Sequence, residues 1–191
     1  MIIETERLVL RPWRDEDLEP FAALCGDPQV MRYFLKPLTL EETAALIARA
    51  REKEAADGFC FRPVECKADG ALIGMIGLSR PVFPAPVPFM PCVEIGWRLA
   101  RHAWGQGYAS EAAGSWLRFG FETLQLNEIV AFTTVTNTPS RKVMQRLGMS
   151  HDPADDFDHP SVPEDHPLRP HVLYRLSREN WKAFGAEHVS R

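Results

Sequence analysis

Two glycines in one short turn, Gly105 and Gly107, are the residues of this chain best suited to holding a phosphate group. They follow a β-prone run over residues 93–99 and precede a helical pattern of apolar residues that opens near Tyr108. Such a turn gathers free backbone N–H groups at the positive end of a helix dipole, where an anion is stabilised. Glycine also lets a ligand approach the backbone closely, because it has no Cβ. The spacing therefore predicts a phosphate-binding turn.

Two common nucleotide-binding patterns do not match this turn. The Walker pattern requires Gly-Lys followed by Ser or Thr, and the turn contains no lysine. The dinucleotide fingerprint would accept Ser110 as its third small residue, but no acidic residue closes a strand about twenty residues later. A glycine-rich connector without a ligand remains the alternative to a phosphate site.

A second turn with chemical potential follows the next β-prone run, residues 128–136. In the sequence Asn-Thr-Pro-Ser, Thr138 is expected to cap a short helix and Pro139 to occupy its first turn. The helix is predicted over residues 140–147, with Gly148 directly after its end.

Together the two turns resemble the signatures of the GNAT acetyltransferases. The acyl-CoA motif of that family, Gln/Arg-x-x-Gly-x-Gly/Ala, corresponds to residues 104–109, with Trp104 where Gln or Arg is usual. The second signature, N-x-x-[AS] followed by G-[FM], corresponds to residues 137–149. The segments T-E-R-L-x-L-R and W-G-x-G-Y-A-x-E-A are similar to those of the RimJ/RimL-like branch, which contains ribosomal-protein N-acetyltransferases.

This resemblance implies an α/β (α+β) fold in one domain over residues 1–191: a GNAT-like mixed, mostly antiparallel central sheet flanked by helices. It implies that the strands over 93–99 and 128–134 splay apart and hold acetyl-CoA as co-substrate, with the pyrophosphate on residues 104–109. The expected cofactor-binding residues are Trp97, Arg98, Leu99, Trp104, Gly105, Gln106, Gly107, Tyr108, Ala109, Asn137 and Ser140.

Acetyl transfer to an amine requires a neutral amine, and amines are mostly protonated at neutral pH. Glu94 is the best candidate for the base, because it stands in an apolar strand run where desolvation raises a carboxyl pKa. The alternative is a carboxylate that only pairs with Arg98 or another cation. A backbone N–H near Leu99 is the expected oxyanion donor.

The expected proton donor for the leaving thiolate is missing. Many members of the family carry Tyr seven residues after the motif Asn, and this chain has Met144 there. Ser140 is the nearest substitute, although a thiolate of low basicity needs no acid. Asn137 is expected to bind the pantetheine arm or the helix turn, and a plain turn-forming Asn is the alternative.

Composition narrows the class of protein. The chain has 191 residues, 45% hydrophobic and 25% charged, which is typical of a soluble globular protein. The net charge of −4 gives no general affinity for nucleic acid. Four cysteines without C-x-x-C spacing indicate reduced thiols in a cytoplasmic protein. The chain start shows no signal pattern, and no apolar run reaches the roughly 20 residues that span a bilayer, so no membrane partner is expected.

The remaining segments shape the surroundings of the site. Residues 81–91 hold five prolines and predict a loop that packs on the domain or on a partner. Residues 150–169 predict an acidic loop. The spacing of His159, His166 and His171 fits no zinc template, so no metal is expected.

The acceptor is the least determined feature. Six carboxylates of the acidic loop favour a cationic amine, such as a protein N-terminus or a small polyamine-like molecule: Asp152, Asp155, Asp156, Asp158, Glu164 and Asp165. A solvated loop without a ligand is the alternative. A non-catalytic acyl-CoA-binding regulatory module is the alternative to the enzyme, and a homodimer is left open.

Overall fold

Strands and helices alternate along residues 1–189, the part of the chain that the structure, a computed structural model, describes. The strands are β1 (Ile3–Glu4), β2 (Leu8–Leu10), β3 (Phe61–Cys66), β4 (Leu72–Ser79), β5 (Glu94–Leu99), β6 (Glu128–Thr134), β7 (Ser150–His151), β8 (Phe157–Asp158) and β9 (Pro170–Ser177). The helices are α1 (Leu18–Gly26), α2 (Leu40–Asp57), α3 (Tyr108–Arg118), α4 (Thr138–Arg146) and α5 (Arg178–Val189).

The chain forms two compact units. The first comprises Met1–Ser79 with Gly96–Ser115, and the second comprises Arg80–Ile95 with the chain from Trp116 onwards. Strand β5 contributes residues to both units. The hydrogen-bonded strand order is β1-β2-β3-β4-β5-β6-β9-β7, and β8 also pairs with β9. This is the mixed α/β fold that the sequence predicts. That the two units form a single domain stays a prediction.

In the first unit, antiparallel strands carry two helices. The pairs β1–β2, β2–β3 and β3–β4 are antiparallel, and α1 packs against both α2 and β4. Helix α2 begins with a reciprocal cap, because the Thr39 hydroxyl accepts from the Glu42 N–H at 3.2 Å and the Glu42 carboxylate accepts from the Thr39 N–H at 2.9 Å. The Thr-x-x-Glu spacing of residues 39–42 predicts this cap, and the apolar run over residues 71–78 predicts a central strand. Both predictions are confirmed, since β4 is buried at seven of its eight residues.

A buried ion pair fixes the start of this unit. Arg11 donates to both carboxylate oxygens of Asp17 at 2.8 and 2.7 Å, and its Nε donates to Glu65 on β3 at 2.8 Å. Asp17 is only 2% exposed and also accepts from the Arg14 N–H at 2.7 Å. Because Asp15 precedes the apolar helical pattern of residues 18–24, the sequence predicts it as a possible cap of α1. This prediction is wrong, because Asp17 stands at the N-cap of α1, whereas Asp15 lies on the surface and pairs with Arg51.

In the second unit, β9 is the hub of the strand pairing. It pairs antiparallel with β6 over seven residues and also with the short strands β7 and β8. The segment 150–169 is therefore more than the loop predicted from its sequence, because residues 150–151 and 157–158 both pair with β9. Helix α4 packs on β6 and α5 packs on β9. The sequence predicts a short helix over residues 178–184, and α5 extends beyond it to Val189.

Strands β5 and β6 are parallel neighbours along a very short ladder. Within the described residues their register consists of one pair, Glu94 with Val130, and the Val130 N–H donates to the Val93 carbonyl at 2.9 Å. The pairs β1–β2, β2–β3, β3–β4, β6–β9, β7–β9 and β8–β9 are all antiparallel. The sheet therefore contains a parallel pair at β5 and β6.

Three further features bear on the expectations from composition. None of the helices in the described part of the chain has the length and apolar character to cross a membrane. The same residues contain no group of three or more His, Cys, Asp or Glu placed to hold a metal ion. All four cysteines are free thiols, and Cys25, Cys60 and Cys66 are buried.

Substitution of Asp17 by Asn tests the buried ion pair. Burial alone would raise the pKa of Asp17, but hydrogen bonds from Arg11 and Arg14 outweigh it and hold the pKa below the usual 3.8. The carboxylate therefore stabilises the fold above about pH 4, and this contribution disappears as the pH falls through the lowered pKa. We expect Asp17→Asn to lower the free energy of unfolding in urea by about 3 kcal/mol at pH 7.

The matched control is Asp15→Asn, which removes the same charge from a surface pair whose Asp15 side chain is 96% exposed. It should change the free energy of unfolding by less than about 0.5 kcal/mol. Equal effects of the two substitutions would contradict the assignment.

Candidate functional site

The predicted phosphate turn has the backbone that its glycines allow. Gly105 and Gly107 both adopt left-handed conformations, with φ of 75° and 81°, and both are exposed. Helix α3 then begins at Tyr108, and its first internal hydrogen bond runs from the Glu111 N–H to the Gly107 carbonyl at 3.0 Å. The N–H groups of residues 108–110 therefore have no acceptor within the helix and remain suited to an anion.

Trp104 links the two ends of this turn. Its indole Nε1 donates to the carbonyl of Leu99, the last residue of β5, at 2.8 Å. The ring is 41% exposed, and the Arg32 guanidinium lies over it at 5.6 Å from the ring centre. Trp104 thus ties the strand end to the turn, a role that its departure from the family motif did not predict.

A second set of contacts holds the turn from the N-terminal segment. Arg7 donates through Nε to Glu111 at 2.6 Å and through a terminal nitrogen to the Gln106 carbonyl at 3.0 Å. The Thr5 hydroxyl and the Arg7 N–H both donate to the other Glu111 oxygen, at 2.6 and 2.9 Å. The Arg7 guanidinium also lies 4.6 Å from the ring centre of Tyr108. We call these residues, Thr5, Arg7 and Glu111, the turn clasp.

The turn clasp was not identified from the sequence. Burial alone would raise the pKa of Glu111, but hydrogen bonds from Thr5 and Arg7 outweigh it and lower the pKa, so Glu111 is an anion at neutral pH. The available signal was that Thr5 and Arg7 belong to the T-E-R-L segment and Glu111 to the Y-A-S-E-A segment. Both segments carry the resemblance to one branch of the family, and neither has an obvious local role.

The candidate cofactor-binding residues on β5, Trp97, Arg98 and Leu99, differ in burial and in contacts. Alternation along the strand places Glu94, Gly96 and Arg98 on one face. The Arg98 guanidinium donates to the Cys25 thiol at 3.1 Å and lies 4.3 Å from the ring centre of Phe34. Trp97 is half-buried and Leu99 is buried.

Glu94 opens strand β5 between the buried side chains of Val93 and Ile95, and its own side chain is half-buried. Its charge reaches its neighbours, because burial and then the carboxylates of Glu94 and Glu128 raise the pKa of the Cys92 thiol to about 11.

The second motif caps a helix. The Asn137 side-chain oxygen accepts from the Ser140 N–H at 3.3 Å, and its amide nitrogen donates to the Thr133 hydroxyl at 2.9 Å. Asn137, and not the expected Thr138, is therefore the N-cap of α4. Ser140 is half-buried in the first turn, and Met144 is 2% exposed within the core, where its thioether has no proton to donate.

Six rings from four separate segments form a cluster in the second unit, which we call the ring cluster: Phe83, Phe89, Phe132, Phe157, His159 and His171. Their centres lie 4.8–6.4 Å apart in tilted and edge-on arrangements, which are the favoured geometries for aromatic pairs. All six are half-buried. Phe83 and Phe89 come from the proline-rich loop, which the sequence predicted to pack through its apolar residues.

Both histidines of the ring cluster are neutral at pH 7. Burial, and secondarily the imidazole of His171, lowers the pKa of His159 from 6.5 to about 4, and burial also lowers the pKa of His171. For His159 the hydrogen bonding agrees, because its Nδ1 accepts from the Ser161 N–H at 3.2 Å. For His171 burial outweighs the opposing effect of the Arg169 carbonyl, which lies 3.0 Å from Nδ1 and favours the protonated ring. The cluster is thus uncharged.

The acidic residues expected to attract a cation are largely engaged inside the unit. Asp155 accepts from Arg175 at 2.6 Å, Asp156 lies 2.7 Å from the ring nitrogen of His151, and Asp158 lies 3.4 Å from Arg169. Asp152 accepts from the Ala154 N–H at 2.9 Å and so caps a short turn. These contacts explain the acidic composition through the fold of residues 150–175.

Comparisons with known proteins agree with one another. The family profile described as Acetyltransferase (GNAT) domain matches residues 7–150. The chain is 29% identical to the uncharacterised N-acetyltransferase YnaD of Bacillus subtilis, covering 95% of this chain and 99% of YnaD. It is 32% identical to the FsC-acetyl coenzyme A-N(2)-transacetylase of Aspergillus fumigatus, and the match covers 94% of this chain and 77% of that protein. The structure of a GNAT-family acetyltransferase from Bacillus anthracis is similar, with a TM-score of 0.77 and 27% sequence identity. The match covers 94% of this chain and 99% of that one.

Acid titration tests the neutral state of the ring cluster. Because the pKa of His159 is lower in the folded chain than in the unfolded one, unfolding takes up a proton between about pH 4 and 6.5. His159 therefore contributes stability that is complete above pH 6.5 and declines as the pH falls towards 4. We expect His159→Phe to reduce this acid loss by on the order of 1–2 kcal/mol in urea unfolding at pH 7 and pH 4.5.

The same substitution at the exposed His102 serves as the control and should leave the pH dependence as it is in the natural protein. An unchanged pH dependence in His159→Phe would show that this imidazole titrates normally.

Proposed function

The chain belongs to the acetyltransferase (GNAT) domain family and is an acetyl-CoA-dependent acetyltransferase, and we propose that it transfers the acetyl group to a primary amine by direct attack. In this proposal the turn over residues 104–109 binds the pyrophosphate and Glu94 is the base. The name of the Aspergillus relative describes transfer to a nitrogen, which supports an amine acceptor.

The observation that carries the proposal is the geometry of the turn. Two left-handed glycines precede α3, and the N–H groups of residues 108–110 have no acceptor in the helix. Trp104 and the turn clasp hold this backbone from both sides, so its shape is formed before a ligand binds. A preformed row of N–H groups at a helix start fits a pyrophosphate, which is a dianion with acceptor oxygens only.

Glu94 is suited to the proton transfer. The attacking nitrogen must lose a proton as its bond to the thioester carbon forms and the carbon–sulfur bond breaks. Glu94 takes that proton directly or through a water molecule, and its half-buried position at the start of β5 keeps its carboxylate partly shielded from water.

The leaving thiolate needs less help. Since Met144 is buried and has no proton to give, Ser140 is the nearest group for protonation of the sulfur, and a thiolate of moderate basicity also leaves without an acid. The N–H near Leu99 is the proposed donor to the oxyanion. Asn137 acts on the site through the start of α4, whose first turn it caps.

Two finer assignments accompany this function. The turn clasp unites the two segments that resemble the RimJ/RimL-like branch, which supports placing the chain there. The four free thiols support a reducing, cytoplasmic location.

Replacing Gly107 by Ala tests the phosphate turn. The new Cβ would meet only the Arg7 side chain at 3.5 Å, so the main effect is strain at a φ of 81° and a shifted backbone under the phosphates. We expect the affinity for acetyl-CoA in calorimetry to fall more than about tenfold, or about 1.4 kcal/mol.

Gly58→Ala is the matched control, because Gly58 also has a φ of 81° and open space around its Cβ, but stands at the end of α2. Both variants carry the same backbone strain, about 1 kcal/mol of stability. If the two bind acetyl-CoA equally well, the pyrophosphate site lies elsewhere.

Replacing Glu94 by Gln tests the base. The substitution keeps the shape and removes the proton acceptor, so kcat should fall about 100-fold while the affinity for acetyl-CoA stays unchanged. Glu128→Gln removes an exposed carboxylate that pairs with Arg175 on the same sheet and should leave kcat within about twofold. Equal activity of Glu94→Gln and the natural protein across the pH range would remove Glu94 from the mechanism.

A further inference from the structure

The ring cluster lies on the same face of the sheet as Glu94. The register pairs Glu94 with Val130 on β6, and Phe132 shares the face of Val130 because side chains alternate along a strand. Thr134, two residues further, pairs with His171 on β9, and His171 pairs with Phe157 on β8. Glu94, Phe132, His171 and Phe157 therefore project to one side of the second unit.

The spacing along this face is that of a small molecule. Two strand residues advance about 6–7 Å, so Phe132 stands about that distance along β6 from the residue opposite Glu94. Strands β5 and β6 are parallel, and Phe132 follows Val130 in the direction in which both strands run. A ring in contact with Phe132 could thus carry an amine on a chain of two carbons towards Glu94.

The face is chemically suited to an uncharged ring. The four phenylalanines present ring edges and faces, and both imidazoles are neutral at pH 7. The nearby carboxylates of Asp155, Asp156 and Asp158 are engaged by cationic or imidazole partners. The electrostatic attraction for a polycation that the sequence suggested is therefore weak at this position.

A buried hydroxyl on the same face also points to a ligand. Thr134 is 1% exposed, and its side-chain oxygen has no hydrogen-bond partner among the described residues. A buried hydroxyl without a partner is costly, and a face built only for packing would favour valine there. The Thr134 hydroxyl is thus an unpaired polar group on the face that carries the ring cluster.

We propose that the ring cluster is the acceptor subsite, and that the acceptor is an amine carried one or two carbons from an aromatic or ring-sized apolar group. This inference rests on the proposed role of Glu94 as the base. The amine nitrogen lies at the Glu94 end and the ring lies against Phe132 and its neighbours. The same chemistry occurs in a free arylalkylamine and in a peptide with an N-terminal phenylalanine.

The experiment compares acceptors that differ only in the ring. Initial rates of CoA release are measured with 2-phenylethylamine against ethylamine, and with the peptide Phe-Ala-Ala against Ala-Ala-Ala. We expect kcat/KM to be at least about tenfold higher for the ring-bearing member of one pair, because burying a ring on apolar surface favours binding by that amount. The pair with the higher rate identifies the source as a small molecule or a protein N-terminus.

The variants Phe132→Leu and Phe119→Leu then locate the effect. Phe132→Leu should reduce the ring preference to about threefold or less and leave the KM for acetyl-CoA unchanged. Phe119 is also half-buried but packs on Trp116 outside the ring cluster, so Phe119→Leu should keep the full preference. A mere packing role for Phe132 would lower stability in unfolding assays without changing the ratio between the two amines.

The outcomes separate the two hypotheses. Equal kcat/KM within both pairs, or a preference that Phe132→Leu leaves intact, overturns the acceptor subsite while leaving the proposed transferase mechanism standing. Transfer that proceeds unchanged in Glu94→Gln overturns the proposed mechanism, and a ring preference lost in Phe132→Leu would still support the subsite. Failure to acetylate any of the four amines overturns the acceptor subsite, while the mechanism is judged by Glu94→Gln on the amine that the natural protein does acetylate.

Discussion

The turn over residues 104–109 depends on one charged contact, the ion pair between Arg7 and Glu111. A turn with two left-handed glycines is flexible by itself, since ordering a glycine costs more backbone conformational entropy than ordering any other residue. Arg7 restrains it by binding the Gln106 carbonyl and the Glu111 carboxylate together, while Trp104 secures the other end at Leu99. The first-turn N–H groups of α3 are thereby held in one arrangement, which is the condition for binding an anion without paying to order the loop.

Charge is used in the same way elsewhere in the chain. Arg11 joins β2 to Asp17 and Glu65, and Arg175 on β9 joins Asp155 and Glu128. In each case one guanidinium, with its planar set of donors, binds carboxylates from segments distant in sequence. The net charge of −4 thus gives little information about the surroundings of a site, because many of the charges neutralise one another within the fold.

The candidate catalytic residues differ in how their roles are supported. Glu94 lies in a position where its charge acts on neighbouring groups, and Asn137 organises the start of α4. Met144 is buried in the core, so the position where the family often has a tyrosine contributes to packing in this chain. The chemistry proposed for this chain therefore relies on a base and on backbone donors, with a leaving thiolate that needs no dedicated acid.

The sequence by itself determined the features that depend on local backbone chemistry. Glycines specify the left-handed turn before α3, Thr39 and Glu42 specify the start of α2, and a continuous apolar run specifies β4 as buried. The sequence could not decide which of two adjacent residues caps α4, since the side chains of Asn137 and Thr138 can both accept a hydrogen bond from the first turn. The path of the backbone into the helix selects Asn137.

Tertiary structure alone decided the contacts between distant residues. Arg7 and Glu111 are 104 residues apart, and the ring cluster collects six rings from between positions 83 and 171. Nothing in the type or spacing of such residues distinguishes a surface charge from a clasp, or a loop phenylalanine from a member of the ring cluster. These roles arise only when strand register brings the segments onto one face, because register sets which side chains are neighbours.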